Sequence, residues 1–340
     1  MEERRTRIEA PGVRSLVWRG DELVDWVRGG DAWSLDGTYR SAGRGWGYQP
    51  LDAAIAWRDW AFVYHRCGTS GLLLKDGAIV RQLHRSLYHA DAYEYPVCLG
   101  PSPGGRALLI HCPDSYDRIE IDDLETGARL TAGAERAPRD FFHSRLAISP
   151  GGARLVSAGW VWQPWDAVLW FDLEAALGDP TVLDRMDGSP ELSRNVCLAE
   201  ESGAAWLDDR RLLLVGSAEG EDPEEAAETD REHPGPRLRP CGLAVYDVEV
   251  KNYVAAAVGS GPLGTVMPLG TGHVVAFHRH PRVIALDSGE VVREWPDLSS
   301  GTQVSSILWG AALPPLALDR ERRRFALADD EAIHVVEILA

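Results

Sequence analysis

Lysine is nearly missing from this sequence of 340 residues: Lys75 and Lys251 are the only two, so almost all of its 35 basic side chains are arginine. That bias reads as base composition rather than function. The basic residues are also outnumbered by 52 Asp and Glu, which leaves a formal net charge of −17. Such a surface repels a phosphate backbone, and no basic run with interleaved aromatics offsets it, so nucleic acid is not an expected partner. The five cysteines are scattered, with no CxxC or CxxH spacing, which argues against a disulfide framework or a structural zinc site. No run of roughly 18 apolar residues suggests a membrane span. The opening MEERRTRIEAPG has charges but no apolar stretch behind them, so a secretory signal is not expected and the cytoplasm is the default location. Among motifs, no GxSxG elbow, P-loop or HExxH occurs in a fitting context, and AGRGWG (42–47) leads into a strand, so no helix N-terminus waits there for a phosphate.

What is present is an ordinary globular composition, 45% hydrophobic and 26% charged, with a hidden repeat. Residues 102–130, SPGGRALLIHCPDSYDRIEIDDLETGARL, and 149–177, SPGGARLVSAGWVWQPWDAVLWFDLEAAL, share one plan: a turn, a strand, a polar hairpin, a second strand ending in Asp-Leu, and another turn. The plan recurs from Trp18, Trp57, Trp206, Leu269 and Leu318, giving seven copies of short strands with almost no helical periodicity. Seven four-stranded antiparallel units set radially make an all-β, seven-bladed β-propeller. One domain is expected over 1–340, with blades near 13–45, 46–86, 87–133, 134–186, 187–257, 258–298 and 299–340. Strand 4–9 joins the last blade, fills its missing outer position and closes the ring.

The SPxG-turn-strand-hairpin-DLxxG pattern at 102–130 and 149–177 resembles that of the WD40-like and YVTN-like bacterial β-propellers. The likeness spans nearly the whole chain but is a signature of fold. Two features depart from true WD40 repeats: Trp165-Asp166 is expected in a hairpin rather than at the end of a third strand, and Gly272-His273 in a first turn. The hydrogen-bonded Asp-His-Ser/Thr-Trp network of that family is therefore not carried over. What the resemblance implies is a surface for binding partners.

In a propeller, the loop leading into each inner strand and the hairpin between strands two and three share one face, here the top. That sorting places eight of the ten histidines on or near the top, namely His65, His84, His89, His111, His143, His233, His278 and His280. His65, His111 and His278 each close a second strand, in sheets about 10 Å apart or across the ring, too far to share a metal whose ligands lie within about 2 Å. They read as structural, each bonding a neighbouring blade, and no metal or cofactor is expected. The loop YHADAYEYP (88–96) brings His89, Asp91, Tyr93 and Glu94 toward the pore, and the next blade adds Phe142, His143 and Arg145. Imidazole beside carboxylate is the minimum kit for acid–base chemistry, which makes His89, Asp91, Glu94 and His143 the catalytic candidates. The insertion 217–240 is acidic, with few apolar residues, and is expected to stay mobile.

Two functions follow. One is a binding scaffold that recognises a protein or small-molecule ligand through top-face aromatic hairpins and the acidic loop, using Trp162, Trp165, Tyr93, Tyr48 and Arg145. The other is an enzyme (lyase, isomerase or hydrolase) with its pocket at the central opening. In AGWVWQPWDAVLWFDL (158–173), alternation assigns Trp160, Trp162 and Trp170 to blade packing, while Trp165 occupies the turn after Pro164. Trp165, with Trp162 second, is where a partner is expected.

Overall fold

The computed structural model describes residues 1–47, 50–162, 165–185, 203–216, 222–232, 234–259, 261–302, 305–308 and 313–339. The strand Trp60–Tyr64 shows how its geometry builds the molecule. Successive side chains of a strand leave on opposite faces. Trp60 and Phe62 pack with Val97 and Leu109 of the following sheet, while Ala61 and Val63 pack with Val24 and Trp26 of the preceding one. A strand buried on both faces has no need to alternate apolar with polar, so middle strands such as RLLLV (211–215) read as unbroken apolar runs.

Seven such antiparallel sheets form the ring. In chain order their inner strands are Val17–Arg19, Ala53–Trp57, Val97–Pro101, Leu146–Ile148, Gly203–Trp206, Val266–Leu269 and Leu316–Asp319, in blades one to seven. The hydrophobic core is divided among the seams between neighbouring blades, and the last seam joins blade seven to blade one through Ala326 and Val335 against Leu23 and Trp33. The chain is a seven-bladed β-propeller on a four-stranded plan. Closure comes from Glu3–Glu9, which pairs antiparallel with Ala332–Ile338 from Glu3↔Ile338 to Glu9↔Ala332.

Blades three and four depart from the plan. Among the described residues each shows three strands. In blade three a single bridge, Asp122 to Arg129, stands at the outer edge. In blade four the chain runs from the third strand into a short helix, Leu173–Gly178, capped by the Asp172 carboxylate, which accepts from the Ala175 N–H at 2.9 Å.

Three expectations are corrected. The third strand of blade four is Trp165–Asp172, so Trp165-Asp166 opens a strand instead of lying in the hairpin; Val161↔Trp165 and Trp160↔Asp166 pairing carries the ladder almost to the tip. The acidic insertion holds a helix, Pro223–Glu232, because Asp222 accepts from the Glu224 N–H at 2.8 Å and alanine and glutamate favour helix. After it Arg237 and Leu238 are buried, Leu238 among blades four and five. Finally, His111 meets a carboxylate of its own blade, Asp122 at 3.4 Å, rather than a neighbouring blade.

Candidate functional site

The top face over blades three and four begins with a buried arginine. Arg85 follows the outer strand of blade two, Ala78–His84, and donates to the carbonyls of Gly68 (2.7 Å), Ala90 (2.7 Å), Tyr93 (2.9 Å) and Glu94 (3.3 Å). Its guanidinium also lies over the rings of Tyr93 and Tyr95, at 4.5 and 5.0 Å. A planar fork with five N–H donors suits this many acceptors, and the loop 85–96 is folded around it. His89 in that loop, and Arg145 in the next, hold left-handed backbone at φ 51 and 42, conformations that persist where surrounding contacts over-determine them.

On this base stands a column of aromatic rings. Trp160 stacks on Phe142 at 3.7 Å and 11°, and Phe142 on Tyr116 at 4.1 Å and 20°. Tyr88 flanks the stack, 5.1 Å from Tyr116 and 5.9 Å from Phe142, and Trp162 lies beside Trp160 at 6.2 Å and His89 at 5.3 Å. The column exists because backbones meet closely: Phe142 and Trp160 exchange N–H···O bonds of 2.8 and 3.1 Å. A Cβ on Gly159 would come within 2.0 Å of the Phe142 carbonyl oxygen, so only glycine fits there. Phe142, Trp160 and Tyr93 are buried, whereas Tyr88 is 49% exposed, Trp162 54% and Leu87 82%.

A polar knot holds the loops together. Glu94 receives Arg145 at 2.8 Å and Arg66 of blade two at 3.4 Å. Its carbonyl accepts from Ser144 Oγ at 3.0 Å. Across the ring, the loop leading into blade seven reaches this point. Glu94 N donates to the Ser306 carbonyl at 3.0 Å and Leu308 N to the Ala92 carbonyl at 2.9 Å, around a Tyr93–Ile307 bridge. Ser305 Oγ donates to buried Asp166 at 2.8 Å, and Arg145 Nη2 to the Ser305 carbonyl at 2.6 Å. Since blades three and four lie opposite blade seven, residues 305–308 form a strap across the top of the central opening. At the other end of the same inner strand, Arg320 Nη1 donates to the Trp206 carbonyl of blade five at 2.5 Å.

The sequence-derived candidates fall into distinct surroundings. His143 is buried, with Nδ1 3.0 Å from Ser157 Oγ and Phe141 alongside. Burial pushes its imidazole down to about 3, opposed in part by the Asp117 backbone, so it stays neutral at ordinary pH. Asp91 is exposed, His89 is half-buried among aromatic rings, and Glu94 is committed to two arginines. An acid–base pair must reach one reacting atom; of these four, His143 is shut in the core and Glu94 is already engaged by arginine. Among the described residues no three His, Cys, Asp or Glu are arranged to hold a metal ion.

Of the binding candidates, Trp162 is on the surface, but Tyr93 and Arg145 lie beneath it as supports. Trp165 contributes backbone to the third strand of blade four, and Tyr48 and His233 lie outside the described residues. The assignment of Trp162 to blade packing is corrected, because its strand, Arg154–Val161, stops one residue short of it. Sequence reasoning missed Leu87, Tyr88, Arg85 and the strap. The first two carried a signal, being apolar residues at the tip of a polar loop. The strap carried none, since its partners are up to about 200 residues away in the chain, and Arg85 carried none because its partners, though within 17 residues, are backbone carbonyls that no residue type marks.

No helix among the described residues is long and apolar enough to cross a membrane. No family model matches the chain, and no curated protein matches it. Solved structures do. A chain of a mitotic checkpoint complex aligns with a TM-score of 0.61 at 11% identity, covering 99% of this chain and 95% of that one. Hydrazine synthase of Kuenenia stuttgartiensis aligns with a TM-score of 0.58 at 10% identity, covering 96% of each. The β-propeller domain of Myceliophteria thermophila Cps50 (Swd1) gives 0.57 at 10%, covering 99% and 100%. At such identities the likeness is one of architecture, and it shows the β-propeller fold alone.

Proposed function

We propose that this protein is a binding scaffold that takes a protein partner on its top face, over blades three and four. Propellers of this kind support protein binding in general terms. The observation that carries the specific reading is the aromatic column, whose outer members Tyr88 and Trp162 are half-exposed with Leu87 beside them, on loops pinned by Arg85 and Glu94. Large rings presented on a rigid base lose little entropy on binding, which is why Trp and Tyr dominate binding hot spots. Tyr93 and Arg145 then act by holding the surface in shape, and Trp165 and Tyr48 belong to the proposal on their sequence positions. An enzymatic pocket at the central opening gains no support, because the strap crosses it, His143 is a buried neutral core residue and Glu94 is held by two arginines.

A photoreactive amino acid at position 87, beside Tyr88, with position 254 on the outer edge of blade five as control, tests the reading. A partner captured from native lysate at 87 and not at 254 is then purified. Its affinity should fall by about tenfold or more on Trp162→Ala, the size expected of a hot-spot tryptophan. Equal capture at both positions, or a partner indifferent to Trp162→Ala, overturns the proposal.

A further inference from the structure

We propose that the top-face surface recognises an arginine-bearing peptide segment of its partner; this rests on the reading of that face as a binding surface. The chain's own arginines supply the first argument. Arg324 lies over Trp18 at 3.8 Å, Arg58 over Trp57 at 4.3 Å, and Arg85 over Tyr93 at 4.5 Å. Tyr88 and Trp162 are exposed rings of the same kind, and among the described residues no cation of the chain covers them. An open indole or phenol face attracts a guanidinium through its negative quadrupole, more strongly once water is excluded.

Charge supplies the second argument. Three of the four loops that carry the aromatics also carry an exposed carboxylate two residues from a ring: Asp91 beside His89 and Tyr93, Asp114 beside Tyr116, and Asp140 beside Phe142; in the fourth, the hairpin of Trp160 and Trp162, Asp166 is buried. Asp140 accepts from the Tyr116 hydroxyl at 2.8 Å, which ties that carboxylate to the column itself. Asp114 meets Arg129 at 3.2 Å yet keeps a side chain 63% exposed. Against these stand Arg139, exposed on the third loop, and Arg118, which is paired with Glu120 at 2.6 Å. The rim is thus acidic, in keeping with the overall charge of −17. A flat ring face next to a carboxylate suits arginine better than lysine, because the planar guanidinium can stack and form a two-pronged hydrogen bond together. Leu87, 82% exposed at the edge, adds room for an apolar neighbour of that arginine.

The test uses three fluorescein-labelled peptides on the full-length protein, followed by anisotropy: Gly-Arg-Leu-Arg-Gly, and the same peptide with Lys or with Glu for Arg. The arginine peptide should bind several-fold more tightly than the lysine peptide, and the glutamate peptide should not bind. Trp162→Ala and the double change Asp91→Asn, Asp140→Asn should each weaken the arginine peptide about tenfold, whereas Trp162→Phe keeps most of the affinity. Unchanged circular dichroism and melting temperature show that the variants are folded. Equal affinity for the arginine and glutamate peptides, or no effect of Trp162→Ala, overturns the inference. A captured partner that needs Trp162 but ignores the two aspartates and added salt leaves the binding surface standing and removes the arginine anchor alone.

Discussion

Blade seven and the pair formed by blades three and four lie on opposite sides of the ring and solve opposite problems. Blade seven is regular: four strands, the outermost supplied by Glu3–Glu9 with a charged face that includes Arg4 bonded to Glu337 at 2.5 Å. Among the described residues blades three and four show no regular outer strand, and their top loops hold left-handed residues, a buried histidine and exposed aromatics. Ladder hydrogen bonds and seam packing make the ring; departures from the ladder make the surface. The strap at 305–308 joins the two regions, since it belongs to blade seven and ends in the loops of blades three and four.

The comparison is broken most severely by opening blade seven. Deleting residues 2–9 removes the closing ladder and exposes the edge at Ala332–Ile338, so a loss of most of the fold's stability, typically about 5–15 kcal/mol, is expected. Thermal unfolding reads this out, and an unchanged melting temperature would show that closure does not hold the ring together.

On the other side, His143 makes stability depend on pH. Its folded value of about 3 lies below the ordinary 6.5, so on acidification the unfolded chain takes up the proton first. Stability is full above about pH 6.5 and falls until pH reaches about 3, by on the order of 5 kcal/mol in all. His143→Gln should flatten that slope in denaturant titrations between pH 7 and 4, at some cost in stability at neutral pH. A slope identical to that of the parent would mean that another group carries the acid sensitivity.

Arg85→Ala leaves four carbonyls short of a donor and should cost about 3 kcal/mol, with Arg85→Lys recovering little because an ammonium cannot span the same fork. Hydrogen exchange should show the loss concentrated in 85–96. Ser305→Ala, which cuts the strap from Asp166, should cost about 1 kcal/mol and loosen the loops at both ends. Smallest of all, Trp162→Ala should change stability by no more than about 0.5 kcal/mol while abolishing much of the binding, which would separate surface from scaffold most sharply.

How much of this could be read from the sequence differs by residue. The seven strand groups and the closing strand were legible because period-two burial and turn residues are local signals. Trp160 was placed correctly in blade packing for the same reason. Trp162 was not, because one residue decides whether a tryptophan sits in a strand or at its tip. The helix at 223–232 was hidden by its charge, which reads as disorder when composition is weighed without helix propensity.

The sequence by itself determined the all-β plan, the seven units and the chain segment that closes them, since each follows from neighbours within a few residues or from a simple count of strands. Only the tertiary structure decided that Arg85 pins the site loop, that Glu94 lies between two arginines, that His143 is shut away as a neutral core residue, and that residues 305–308 cross the opening. Those outcomes depend on groups brought together by folding, within one loop for Arg85, between neighbouring loops for Glu94 and across the ring for 305–308, and no local pattern specifies which carbonyl a long side chain will find once the ring has closed.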